Sequence, residues 1–472
     1  MRFIQYNDRR RLFWRAMVLV TLASLSPSLT RAQSSGTEER ITELTALVQK
    51  LQARVDDLEM RLAPAGGKTA TSLAGAPVTA SAAPSLATPA ASPPALPEAK
   101  SLLGGTTVNV NFDGYYGYNF NQPIGRVNLL RAYDVSSNAF SINQAGLVLE
   151  NAADPANGRR FGVRVDLQYG QATETLQGNA ANEPRPDVWR NLFQAYGTYV
   201  VPVGKGLTVD FGKWASALGI EGNYTKDQLN YSRSFWFDFL PFYHMGVRAN
   251  YKINDAIALN YWVTNGAQQT EPFNGFKDEL VGLNLQPHKN VAWTVNYYFG
   301  QEHPDVQFYP NQTIAGLPTL QGTPFSIIPN APQGKLHILD SYLTWQATPK
   351  LTFAIEGDYV IQRLYTNSSP QHTDGGAAYA RYQFTPRIAL AGRTEYLSDR
   401  GGLFTGATQS LKEATVTLEQ KIADGFLLRQ EWRRDFSNEP YFYTGTPGRL
   451  KKEQNTATVG VVWWFGGKQG SW

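Results

Sequence analysis

The chain has 472 residues, no cysteine, 42 glycines, 17% charged and 12% aromatic residues. The missing cysteines exclude thiol catalysis, Cys-ligated metals, a disulfide framework and a lipid anchor on an N-terminal cysteine. The formal charge of +4 misleads, because Arg2, Arg9, Arg10, Arg11, Arg15 and Arg31 against Asp8 give residues 1–32 a net +5 and leave −1 for the rest. A nucleic-acid partner has no electrostatic support.

Residues 1–32 read as a secretory signal peptide. A basic stretch ends at Arg15, an apolar run follows from Ala16 to Leu25, and Thr30 and Ala32 precede a cut ahead of Gln33. That apolar core is too short for a spanning helix. Arg10-Arg11-Leu12-Phe13 also resembles a twin-arginine export signal, so general and twin-arginine export both stay open.

Residues 33–62 carry a heptad seam of Ile41, Leu44, Val48, Leu51, Val55, Leu58 and Leu62. β-Branched residues at a with Leu at d favour two strands, while Leu47 at g widens the apolar face and keeps a trimer open. The reading is a periplasmic coiled coil making a homo-oligomer. Residues 63–104, almost wholly Ala, Pro, Ser, Thr and Gly up to Lys100, cannot bury a core and form a semi-extended linker.

From residue 105 the chain alternates with a period of two. Phe161, Val163, Val165, Leu167 and Tyr169 interleave with Arg160, Gly162, Arg164, Asp166 and Gln168, and similar runs continue to Ala457, Val459, Val461, Trp463 and Phe465. Such strands have one apolar and one polar face. The pattern predicts sixteen of them, centred near residues 113, 145, 165, 196, 210, 248, 260, 281, 295, 341, 356, 380, 393, 416, 430 and 460. Tight turns such as Thr348-Pro-Lys350 and Thr385-Pro-Arg387 alternate with long polar loops. That asymmetry predicts an all-β transmembrane antiparallel barrel of about 16 strands over 105–472. A secreted sandwich or solenoid would share the alternation, but aromatics crowd the strand ends here (Tyr115, Tyr116, Tyr118; Tyr441, Phe442, Tyr443; Trp463, Trp464, Phe465), as an interfacial girdle requires.

Thr458-x-Gly460-x-x-Trp463-x-Phe465 resembles the assembly signal on final strands of outer-membrane proteins, which implies recognition by the outer-membrane assembly machinery; seven residues follow it here. Three further blocks carry a family resemblance: Phe211-Gly-Lys213 with Gly219-Ile-Glu221, Asn230-Tyr-Ser-Arg-Ser234, and Pro241-Phe-Tyr-His244-Met-Gly246-Val-Arg248. With them the chain resembles the OmpL-like putative β-barrel porin family over roughly 105–465. The resemblance implies a porin-like channel in a Gram-negative outer membrane, and supplies no catalytic residues.

Parity places a set of charges on the lumen face: Arg160, Arg164, Arg248, Lys252, Arg381, Arg393, Arg429 and Arg433, with Asp113, Glu150, Asp166, Glu356, Asp358, Glu395, Glu431 and Asp435. Facing rows of opposite sign would set up a transverse field that orients hydrated solutes; mutual neutralisation in a wet interior is the plainer reading. Two loops are candidates to narrow the pore, 302–334 and the aromatic-rich 215–240 with Glu221 and Arg233, the second being preferred. Within it, Phe235–Leu240 suits either the lumen or the lipid-facing start of a strand.

The five histidines are scattered, no Ser–His–acid set assembles, and Gly204-x-Gly206 is a hairpin turn. These residues point away from an enzyme, a metal and a cofactor. The expected function is passive diffusion of small hydrophilic solutes. The alternative is a non-conducting barrel acting as adhesin or receptor through its long loops.

Overall fold

A computed structural model describes residues 105–176 and 183–468; the predicted signal peptide, coiled coil and linker lie outside the described residues. Sixteen long strands form the wall: β1 (Thr107–Asn119), β2 (Ala139–Asn151), β3 (Phe161–Tyr169), β4 (Leu192–Val201), β5 (Leu207–Ala215), β6 (Tyr243–Lys252), β7 (Ile257–Thr264), β8 (Asp278–His288), β9 (Val291–Gly300), β10 (Leu336–Thr348), β11 (Leu351–Gln362), β12 (Gln371–Thr385), β13 (Ile388–Arg400), β14 (Gln409–Ala423), β15 (Phe426–Ser437) and β16 (Glu453–Gly466). Each pairs antiparallel with its neighbours in chain order, and β16 closes on β1 through Tyr115 opposite Gly460 and Phe112 opposite Trp463. All sixteen predicted segments fall on these strands. Closure leaves no strand edge unpaired in the wall, which is the condition for a sheet in lipid.

Period-two patterning decides which face meets lipid. On β11, Phe353, Ile355 and Tyr359 stand exposed outside the barrel while Ala354, Glu356 and Asp358 are buried inside it. No helix among the described residues is long and apolar enough to cross a membrane. Thr-Pro turns close one rim, with Lys350 N–H donating to the Thr348 hydroxyl at 3.2 Å and Arg387 N–H donating to Thr385 in the same way. At the Asp154 turn, a short 3-10 segment (Pro155–Asn157) is capped by the Asp154 carboxylate.

The aromatic girdle is only partly where the strand-end reading puts it. Tyr116 packs on Phe140 and Tyr118 on Phe120, while Trp463 lies between Phe112 and Phe426 on the outer face and Phe465 is exposed beside it. Tyr115 and Phe442, by contrast, are buried, and Trp464 packs against the interior cluster of Tyr115, Tyr231, Leu427 and Val462. Tyr115 points inward by the same parity as Asp113, so proximity to a strand end was the wrong criterion and parity the right one.

Candidate functional site

The lumen is divided by the loop that joins β5 to β6, residues 216–242. Its sequence is too apolar for water: Phe235 and Trp236 are fully buried and Phe237 nearly so. Phe235–Phe239 forms a short helix whose first turn is capped by Ser234, which accepts from Phe237 N–H at 3.0 Å. The run therefore belongs to the lumen and not to the lipid-facing start of a strand. Trp214, Leu218, Trp236 and Leu240 pack with Trp262, Leu280, Tyr298 and Ile338 of the wall, forming an apolar core inside the barrel. The other candidate, 302–334, instead builds a small three-stranded sheet of its own from Val306–Phe308, Thr319–Leu320 and Thr323–Ile327.

A loop inside a barrel has no strand partner, so the wall must satisfy its buried N–H and C=O groups. Carboxylates take the donors. Glu431 accepts from Tyr231 N–H at 2.7 Å and Ser232 N–H at 3.0 Å, and Glu395 accepts from Phe235 N–H at 2.7 Å. Guanidinium groups take the acceptors, since each offers five N–H donors in a fixed fork. Arg393 donates to Ser232 O at 2.8 Å and Arg233 O at 3.1 Å; Arg429 donates to Thr225 O at 2.7 Å and Gln228 O at 2.6 Å; Arg433 donates to Arg233 O. On the far side, Tyr231 donates to Asp113 at 2.6 Å and Tyr224 to Asp166. The loop thus spans the lumen from β13–β15 to β1–β3.

The same charges pair with one another. Arg393 lies 2.9 Å from Glu221 of the loop, 3.1 Å from Glu395 and 3.2 Å from Glu413. Arg429 and Arg381 share Glu419 at 2.7 and 2.6 Å, Arg433 meets Asp435 at 2.7 Å, and Arg164 meets Asp166 at 2.8 Å. Arg233 is buried, donates to Gly222 O, Asn223 O and Tyr231 O, and lies 4.5 Å over the Tyr133 ring. Arg393, Arg429, Arg433, Glu395, Glu431, Glu221 and Arg233 therefore come together as the seat of the loop, in place of two free rows facing across water.

Three predicted lumen residues stand apart from that seat. Arg248 pairs with Asp210 at 2.7 Å and lies over Tyr196 and Trp214. Lys252 is exposed near Asp255, and Arg160 precedes β3 on the short-turn rim, donating to Val200 O at 3.2 Å. Glu356 and Asp358 join Asp340 in a buried acidic group on β10 and β11, against the loop's first turn: Gly219 N–H donates to Asp340 at 3.1 Å and Ile220 N–H to Glu356 at 3.0 Å. Gly219 has φ +82°, a left-handed conformation that favours glycine.

Packing requires glycine at position 460. A Cβ there would lie 2.2 Å from the Tyr231 ring, so the middle of the final strand is the floor on which the loop rests. Trp463 and Phe465 face outward.

Beneath the loop, toward the short-turn rim, a cavity of about 710 Å³ runs along β5–β10. Thr208, Asn250, Asn260, Asn284 and Thr294 line it with uncharged polar groups, and Arg248, Asp210 and Lys252 add the charges.

Parity alone would have found several residues that were missed: Asp340, Glu413, Glu419 and Asp210 share the inward register of their predicted neighbours. Arg131 and Tyr133 had no such signal, because they sit on the loop between β1 and β2. Arg131 reaches Asp435 at 2.7 Å, and Tyr133 donates to Asn223 at 2.6 Å. Burial pushes the Tyr133 phenol well above its usual range.

Among solved structures, the chain is similar to in-vitro folded OmpT, an outer membrane protein of Vibrio cholerae, at 10% identity and TM-score 0.47 over 76% of this chain and 97% of that one. It is likewise similar to an anion-selective porin from Comamonas acidovorans (8%, TM-score 0.49, 76% and 99%) and to Salmonella typhi OmpF in complex with daunomycin (10%, TM-score 0.46, 76% and 97%). No curated protein matches the sequence. The family described as putative beta-barrel porin-2, OmpL-like, matches residues 105–465, and the chain belongs to it, as a porin-type barrel of the outer membrane.

Proposed function

We propose that the barrel passes small hydrophilic solutes passively across the outer membrane, through a passage whose width the loop 216–242 sets. The observation that carries this reading is the cavity along β5–β10, lined by polar and apolar side chains in about equal measure, which the loop leaves unfilled. Its Asn and Thr lining can exchange hydrogen bonds with a moving solute, and Arg248 with Asp210 supplies a local dipole near the short-turn rim. The packed core above it makes this a narrow pore for its strand number, so unit conductance should be low. No catalytic step and no cofactor is part of this reading.

The N-terminal segments complete the proposal. Residues 1–32 direct export, residues 33–62 form a periplasmic coiled coil that assembles a trimer or dimer or holds the barrels to the cell wall, and 63–104 tether it. Gly460, Trp463 and Phe465 serve the assembly machinery. Removing 33–62 and finding unchanged oligomer size and wall association would overturn both coiled-coil roles.

Single-channel recording of the refolded barrel in a planar bilayer under a salt gradient tests the pore. Stable small steps are expected, with a reversal potential whose sign reports the dominant lumen charge. A folded barrel that inserts and stays silent would overturn diffusion and turn attention to the long loops as a binding surface.

A further inference from the structure

We propose that the cavity along β5–β10 is a binding site for neutral polyhydroxylated solutes, of the class of a short saccharide. This inference names the solute of the passage proposed above and rests on that reading. The four charged side chains that line the cavity form two ion pairs, Arg248 with Asp210 at 2.7 Å and Lys252 with Asp255 at 3.0 Å. They leave no net charge to select an anion or a cation. What remains is a ladder of amides and hydroxyls. Asn250 and Asn260 stand opposite each other on β6 and β7, with the Asn250 amide donating to the Asn260 side-chain oxygen at 2.7 Å. Asn284 and Thr294 stand opposite each other on β8 and β9, with the Thr294 hydroxyl donating to the Asn284 side-chain oxygen at 3.2 Å.

These bonds orient the amides and leave donors over. The Asn260 and Asn284 side-chain nitrogens donate to no group among the described residues, and both residues are half-buried at the cavity wall. A sugar hydroxyl donates and accepts, as an amide does, so it can replace the water at such groups bond for bond. An apolar solute would strand them, and an ionised one would meet counter-charges that are already paired. The rest of the lining suits the C–H faces of a sugar ring. Trp262 and Tyr342 border the cavity beside Ala217 of the loop, and the Tyr342 hydroxyl donates to Ala217 O at 3.3 Å, which holds its ring in place. A pyranose presents flat apolar faces between hydrogen-bonding edges, so both kinds of lining find a counterpart on it.

The test is saturation-transfer NMR with raffinose on the full folded chain in detergent, for the wild type and N260A/N284A, with salt conductance of the same preparations recorded in planar bilayers. The expected result is transfer to raffinose that saturates with concentration in the wild type, with binding at least about fivefold weaker in the variant, as two lost hydrogen bonds imply. A polyethylene glycol of similar size should receive none. No transfer to raffinose above a detergent blank, equal binding by the two proteins, or equal transfer to raffinose and the glycol would each overturn the inference. A barrel that conducts salt without such transfer loses the saccharide site and keeps the pore, whereas a silent barrel that shows it keeps the site and loses the passage. If N260A/N284A gives no folded band shift on unheated gels, N284A serves in its place under the same criteria.

Discussion

The two halves of the lumen wall, though cut from the same alternating strands, do opposite things. On β13–β15 the inward positions include a dense set of almost fully buried arginines and carboxylates, engaged with the loop backbone or with one another. On β5–β9 the inward positions nearer the short-turn rim are mostly Asn, Thr and small residues, and a cavity remains there, while further up Trp214, Trp262, Leu280 and Tyr298 pack on the loop. The difference teaches what charge is for in this barrel. A long polypeptide segment threaded through a lumen needs many donors and acceptors at defined places, and guanidinium–carboxylate pairs provide them at high density. Neutral amides and hydroxyls make weaker, more replaceable bonds, and the side they line stays open.

Breaking the stitched half should have the largest effect. Arg393→Ala removes the partner of Glu221, Glu395 and Glu413 together with two loop carbonyl contacts. Removing one member of a buried pair costs about 3–5 kcal/mol. The barrel should unfold at clearly lower temperature on heated-gel band-shift assays, and surviving channels should show larger, noisier steps. Lys252→Gln on the open side, where the ammonium is half in water, should leave that temperature unchanged and move only the reversal potential. Equal losses of stability in both variants would erase the contrast between the halves.

Gly460→Ala probes where the loop rests. The added methyl meets the Tyr231 ring, and overpacking of this kind costs roughly 1–3 kcal/mol. Adding Tyr231→Ala to the same chain should restore much of the loss in thermal unfolding if contact is the cause. If Gly460 acts only as part of the final-strand assembly signal, the double variant should insert as poorly as the single one.

The smallest effect concerns pH. Asp238 lies on the loop helix, where burial pushes its carboxyl up to about 6 against the opposing pull of Arg433 and Arg131, with Asp134 nearby adding to the rise. Its proton is thus held more tightly in the folded loop than in the unfolded chain. As pH rises from about 4 to about 6 the unfolded form ionises first, so this contribution to stability falls across that window and is gone above it. Lowering pH from 7 to 5 should slow amide exchange of residues 235–240, after correction for intrinsic rates, and Asp238→Asn should abolish the change. An unchanged pH response in that variant would assign the effect to other groups.

Sequence by itself determined the wall. Strict alternation, tight Thr-Pro and Asp-Pro turns and an even number of segments leave a closed barrel as the arrangement that hides every backbone group from lipid, and parity then tells lumen from lipid face for residues as different as Glu356 and Ile355. Sequence also marked 215–240 as the preferred loop, through the family motif that sits there and an apolar run unsuited to water. What it did not carry was the destination of each inward side chain. That Glu431 would accept two loop N–H groups, that Tyr231 would rest on Gly460, or that Arg131 from another loop would reach Asp435 depends on positions brought together across the lumen by closure, separated by up to 304 residues in the chain. Periodicity is a local property of a strand, whereas the pairing of charges across a lumen is set by barrel diameter and by the path a loop takes through it, and only the tertiary structure decided those.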